Sequence, residues 1–215
     1  MTKVKICCIQ SIVEAQIAIE NGAYAIGLVS KMPSGPGVIS ESKIREIAEW
    51  APDNIKTVLL TSLQNADEII EQYKYCNTDI LQLVDSQELK TYQIIKKELS
   101  KVQIIQVIHV TDDNSIAESI EISKYVDMLL LDSGNPNLET KQLGGTGETH
   151  NWQISKEIVN QVDIPVFLAG GLNPENVAGA VDAVKPFGVD VCSGVRIDGK
   201  IDAVKVIRFI DEVSE

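Results

Sequence analysis

Eight times along this chain, a short apolar run is followed by an amphipathic stretch of about a dozen residues. Short apolar runs of this length suit strands buried on both faces, and the longer stretches suit helices with one apolar side. Strands are expected near 3–7, 24–29, 55–61, 79–83, 102–108, 127–132, 165–169 and 188–192. Helices are expected near 11–21, 40–50, 65–75, 87–98, 112–123, 152–161, 174–184 and 201–213. Several starts are legible: Ser40, Asn65 ahead of Asp67 and Glu68, and Asp112-Asp113; Gly22 suits a helix C-terminus. Strict βα alternation with short connections implies a parallel sheet, and eight units close most naturally into a barrel. An open doubly wound sheet would want Gly-x-Gly-x-x-Gly after the first strand, where this chain has Cys7-Cys8-Ile9-Gln10. The expected fold class is therefore α/β, a (β/α)8 TIM barrel, with 1–215 as one domain.

Charge narrows the range of partners. There are 31 acidic and 19 basic residues, a formal net charge of −12. Nucleic acid is not an expected partner, because binding it needs a basic face that displaces counterions. An anionic small molecule is compatible, since local backbone donors outweigh a distant negative field. No apolar run is long enough for a membrane span. The start, MTKVKICCIQ, enters a strand pattern without a signal-peptide core, so a cytoplasmic protein is expected. Cys7, Cys8, Cys76 and Cys192 form no CxxC pair, which favours reduced thiols over a metal site. The sequence does not set the oligomeric state.

The most informative stretch runs from Val166 to Arg196. Its two apolar runs each end in a turn, Gly170-Gly171 and Ser193-Gly194, and Asn173-Pro174-Glu175 between them reads as a helix start. In a parallel barrel the loops after strands 7 and 8 are where a phosphate usually sits, held by bare backbone N–H groups and a helix N-terminus. Two other loops of the same face are long, 30–38 after strand 2 and 133–147 after strand 6. Gly144-Gly145-Thr146-Gly147 makes the second a candidate lid; a plain surface insertion is the alternative.

Side-chain alternation turns Lys5 and Cys7 into the barrel, with Cys7 at the mouth. Cys7 is a candidate base or nucleophile, against the ordinary reading of a small buried hydrophobe. Asp132 ends the apolar run Met128-Leu-Leu-Leu131 at the same face. Partial burial there would raise its pKa and suit a general acid; capping the following turn is the alternative. Asp190 has inward parity on strand 8, the neighbour of strand 1 in a closed barrel, so a buried Lys5–Asp190 ion pair is expected. His109 could contact a ligand or be a satisfied loop histidine, and His150 reads as structural.

Val4-Lys5-Ile6-Cys7, Gly22-Ala-Tyr-Ala-Ile-Gly27, Leu130-Leu-Asp132, Gly144-Gly-Thr-Gly147, Gly170-Gly-Leu-Asn-Pro-Glu-Asn-Val177 and Val189-Asp-Val-Cys-Ser-Gly-Val195 occur in one order. Together they resemble the phosphoribosylanthranilate isomerase family of tryptophan biosynthesis, over essentially the whole chain. The resemblance implies a barrel of the ribulose-phosphate-binding type and an Amadori rearrangement of a phosphoribosylamine, with no metal or cofactor. It implies Cys7 as base and Asp132 as acid. The substrate phosphate would sit at Gly170, Gly171, Ser193 and Gly194, with Gly145 close by. Three departures stand out: Cys8 replaces a glycine, Pro33-Ser34-Gly35-Pro36-Gly37 lacks the arginine that holds the anthranilate carboxylate, and Gln82-Leu83-Val84-Asp85 replaces Gln-Leu-His-Gly. Lys31 and Arg196 are the candidates to meet the distal anion instead. Two alternatives remain at this point, an isomerase or lyase acting on another phosphosugar amine, and a non-catalytic phosphosugar-binding barrel.

Overall fold

The computed structural model describes residues 1–134 and 149–214. Eight parallel strands close into a barrel in sequence order: β1 (Lys3–Ile6), β2 (Ala25–Val29), β3 (Lys56–Thr61), β4 (Ile80–Leu83), β5 (Gln103–His109), β6 (Met128–Asp132), β7 (Val166–Leu168) and β8 (Gly188–Val191). The last strand pairs with the first, setting Lys5 opposite Asp190. A helix follows each strand: α1 (Ile12–Glu20), α2 (Glu41–Trp50), α3 (Ala66–Cys76), α4 (Leu89–Glu98), α5 (Asn114–Ile122), α6 (Trp152–Gln161), α7 (Val177–Val184) and α8 (Ala203–Ser214). The expected (β/α)8 barrel is the observed fold. Among the described residues, no helix is long and apolar enough to cross a membrane.

Strand alternation sorts the core into two compartments. Outward residues such as Ile6, Ile26, Leu59, Leu81, Leu129 and Leu168 pack under the helices. Inward residues such as Ala25, Val58, Ile80, Ile105, Met128 and Phe167 fill the barrel. Glycine makes room where the interior is crowded. A Cβ on Gly27 would lie 2.8 Å from Cys7 Sγ and 3.0 Å from Lys5 Nζ, so β2 leaves the space that these two inward side chains of β1 occupy.

The helix starts follow local chemistry. Ser40 Oγ accepts from Lys43 N, and Asn65 Oδ1 accepts from Asp67 N and Glu68 N, satisfying first-turn donors. In α1, Ser11 Oγ accepts from Glu14 N while the Glu14 carboxylate accepts from Gln10 N, a capping box shifted by one residue. The helix expected from 174 begins at Val177 instead. Asn173 Oδ1 does accept from Glu175 N, but Asn176 bonds back to Asn173 N and Gly171 O, so 174–176 form a turn.

Between β8 and α8, where a direct connection is expected, the chain inserts an antiparallel hairpin, β9 (Arg196–Ile197) with β10 (Lys200–Ile201). Its two-residue turn is Asp198-Gly199, both at positive φ (50° and 77°). Asp-Gly is among the strongest short-range signals for such a turn.

Candidate active site

A cavity opens at the carboxyl ends of the strands, and both Cys7 and Asp132 line it. Cys7 comes from the end of β1 and Asp132 from the end of β6, so the thiol and the carboxyl reach one space from separated strands. Gly170, Gly171 and Ser193 line the same space. Gly194 stands just behind them. A Cβ there would fall 2.0 Å from Leu172 O, so the turn after β8 packs directly on the loop after β7. Gly170 and Gly171 hold φ values of 81° and 61°, which only glycine adopts without strain. Gly170 also lies under Ser133 and His150, either of which a side chain would meet at about 3 Å. Gly145 lies outside the described residues.

The two titratable groups are tuned in opposite directions. Asp132 is buried, which pushes its carboxyl up to about 6, although the Ser133 N–H at 2.8 Å pulls the other way. Cys7 is held below the ordinary thiol range by the Cys8 thiol and by the Lys5 ammonium, against the opposing effect of burial. Cys8 itself is pushed well up, by its contacts with Cys192 and Cys7 and by burial, so it remains a neutral donor. The result is a thiol shifted toward its ionised form and a carboxyl shifted toward its protonated form, both facing one cavity. That is the arrangement a proton-transfer reaction needs near neutral pH.

Beneath them the expected ion pair is present. Lys5 Nζ lies 2.9 Å from Asp190 Oδ1, with Lys5 fully buried. Burial opposes its charge, but Asp190 and Cys7 outweigh this and raise its pKa.

Arg196 departs from expectation. Its guanidinium meets Glu14 in a two-pronged pair at 3.1 and 3.0 Å and also donates to the carbonyls of Cys8 and Gly199. It does not line the cavity; it staples α1, the end of β1 and the β9–β10 hairpin together. Lys31 is exposed at the root of the β2 loop, where its carbonyl accepts from Ser62 Oγ; it does not line the cavity, although the next residue, Met32, does. Among the described residues, no lysine or arginine lines the cavity. His109 Nε2 lies 3.1 Å from Val84 O, and His150 Nε2 lies 2.6 Å from Ser155 Oγ, with burial holding the His150 ring neutral by lowering its pKa to about 4.

One further side chain belongs to the cavity wall. Gln82 points into the cavity from β4, is 2% exposed, and its Oε1 has no hydrogen-bond partner among the described residues. Its signal was a polar residue at inward parity between apolar neighbours. Cys8, which the family resemblance matches to a glycine, holds a φ of 61°, in the left-handed region that favours glycine.

The chain matches the family model for N-(5′-phosphoribosyl)anthranilate isomerase over residues 4–212. It is 32% identical over 214 residues to the N-(5′-phosphoribosyl)anthranilate isomerase of Methanocella arvoryzae, covering 99% of this chain and 98% of the relative. A phosphoribosyl anthranilate isomerase from Thermotoga maritima superimposes with a TM-score of 0.86 at 28% identity, covering 100% of this chain and 99% of that one. Another phosphoribosyl anthranilate isomerase, solved with reduced 1-(o-carboxyphenylamino)-1-deoxyribulose 5-phosphate, gives 0.83 at 26% identity, with 100% and 99% covered. A family match across nearly the whole barrel, joined to a thiol and a carboxyl at its mouth, places this chain in the N-(5′-phosphoribosyl)anthranilate isomerase family.

Proposed function

We infer that the protein is an intramolecular oxidoreductase that converts N-(5′-phosphoribosyl)anthranilate to its 1-deoxyribulose 5-phosphate isomer, in tryptophan biosynthesis. The observation that carries this is the pairing, in one cavity, of a buried carboxyl at about 6 with a thiol whose pKa is lowered. Asp132, protonated, delivers its proton to the ribose ring oxygen and the ring opens to an iminium. Cys7, as thiolate, removes the proton from the adjacent sugar carbon to give the enolamine, which tautomerises to the ketone. Each of these groups contributes on the order of 10²–10⁴-fold. A non-catalytic binding barrel would have no use for two side chains tuned toward each other in this way.

Gly170, Gly171, Ser193 and Gly194 cradle the phosphate through backbone N–H groups, and neighbouring atoms at Gly170 and Gly194 leave no room for a side chain at either. Gln82 offers its amide to a sugar hydroxyl. With Arg196 committed to Glu14, the distal carboxylate falls to Lys31, whose flexible side chain is rooted beside Met32. The experiment is turnover in D₂O followed by NMR. A solvent deuteron on the product carbon next to nitrogen is expected, and substrate recovered unchanged would refute the assignment.

A further inference from the structure

Two sulfurs beside the catalytic thiol are not used in this chemistry. Cys8 Sγ and Cys192 Sγ lie 2.7 Å apart, although their residues are separated by 184 positions. A disulfide bond is about 2.05 Å long, so a small approach would join them. We propose that Cys8 and Cys192 are a site of reversible oxidation in the wall of the catalytic cavity, closed to a disulfide by a small-molecule disulfide of the glutathione type.

The surroundings hold one sulfur and expose the other. Cys8 cannot easily swing away: Arg196 grips its carbonyl, and Gly37 packs so closely that a Cβ there would lie 2.5 Å from Cys8 Cβ. Cys192 is partly exposed, and it borders both the cavity and a second depression lined by Gln10, Pro36 and Gly37. A small disulfide can therefore reach Cys192 from outside. Cys7 is less available, because it is 5% exposed where Cys192 is partly exposed.

The exchange balances in two steps. The Cys192 thiolate attacks one sulfur of the oxidant, whose S–S bond breaks and releases one small thiol. Cys8, losing its proton, then attacks the Cys192 sulfur of the mixed disulfide and expels the second small thiol. Two protein thiols are oxidised, and one small disulfide is reduced to two thiols. The bond ties the end of β1 to the turn after β8. It removes the Cys8 thiol proton that faces Cys7 and draws the Ser193-Gly194 turn toward β1. A displacement of that size next to reacting groups costs on the order of ten- to a hundredfold in rate. This effect on turnover rests on the isomerase reading; bond formation does not.

The test is to incubate the full chain with oxidised glutathione, alkylate the remaining thiols, and map cysteines by mass spectrometry while assaying turnover. The expected product is a Cys8–Cys192 cross-link lacking two hydrogens, with Cys76 alkylated. Turnover should fall by roughly ten- to a hundredfold and return with a reducing dithiol. C192S should form no cross-link and keep its own reduced-state rate under oxidant. Four cysteines all alkylated, a Cys7–Cys8 bond, or glutathione retained on Cys7 would overturn the site. A complete cross-link with undiminished turnover would overturn its control of the reaction. If the reduced protein turns over nothing, the isomerase reading fails, and the mass map still decides the site.

Discussion

Removing Lys5 alone should harm this protein more than removing Lys5 and Asp190 together. The ammonium is wholly buried and bonded to Asp190 Oδ1 at 2.9 Å, and the carboxylate is 10% exposed. Lys5→Met keeps the packing of the stem but leaves a carboxylate buried without its partner. Breaking a buried pair from one side costs about 3–5 kcal/mol. For a chain of this size that corresponds to a fall in Tm of about 6–20 °C. Replacing both, as Lys5→Met with Asp190→Leu, exchanges the pair for apolar contacts and should recover most of the loss. The assay is chemical denaturation of wild type, both single variants and the double variant, read by circular dichroism. The account predicts a double variant more stable than the sum of the single losses allows. Simple additivity of the two losses would show that the groups do not interact, and the argument from strand parity would fail with it.

Other outcomes follow from the same geometry. Gly194→Ala puts a methyl 2.0 Å from Leu172 O, so it must separate the loops after β7 and β8; if they hold the phosphate as proposed, KM for the phosphosugar should rise sharply, and an unchanged KM would remove Gly194 from the site. Asp132 carries a folded-state pKa of about 6 against an ordinary value of 3.8, so the folded protein holds the proton more tightly. Its contribution to stability is full below the ordinary value and is lost as pH rises toward 6, about 3 kcal/mol in all. Asp132→Asn should abolish that slope in denaturation measured across the window, and an unaltered slope would contradict the shift. Lys31→Ala should raise KM by about ten- to a hundredfold, the worth of a charge-assisted contact, with kcat little changed; an unchanged KM would mean the carboxylate is held elsewhere.

Much of this architecture was legible because it is written locally. Apolar runs and helix caps gave all eight strands and helices to within a few residues, since burial and first-turn donors act over short spans. Lys5 and Asp190 were paired from alternation plus ring closure, which together leave few neighbours. The misreadings have a different origin. Arg196 looked like a mouth residue because it follows the β8 turn, but its partner Glu14 lies 182 positions away, and no local pattern announces that pair. The α7 start was misplaced because Asn173 and Asn176 compete for the same turn. The β9–β10 hairpin was readable from Asp198-Gly199 and was hidden by the expectation of a direct β8-to-α8 connection. Cys8 could be seen to replace a glycine, whereas its approach to Cys192 required the fold.

The central claim is that Cys7 and Asp132 act as base and acid on a phosphoribosylanthranilate. It is tested most directly by the decay of anthranilate fluorescence with freshly generated N-(5′-phosphoribosyl)anthranilate, comparing wild type with Cys7→Ser and Asp132→Asn. The account predicts turnover by the wild type and a loss in each variant on the order of 10²–10⁴-fold, with both variants still folded. Turnover that survives either substitution, or a wild type that binds the substrate without converting it, would contradict it.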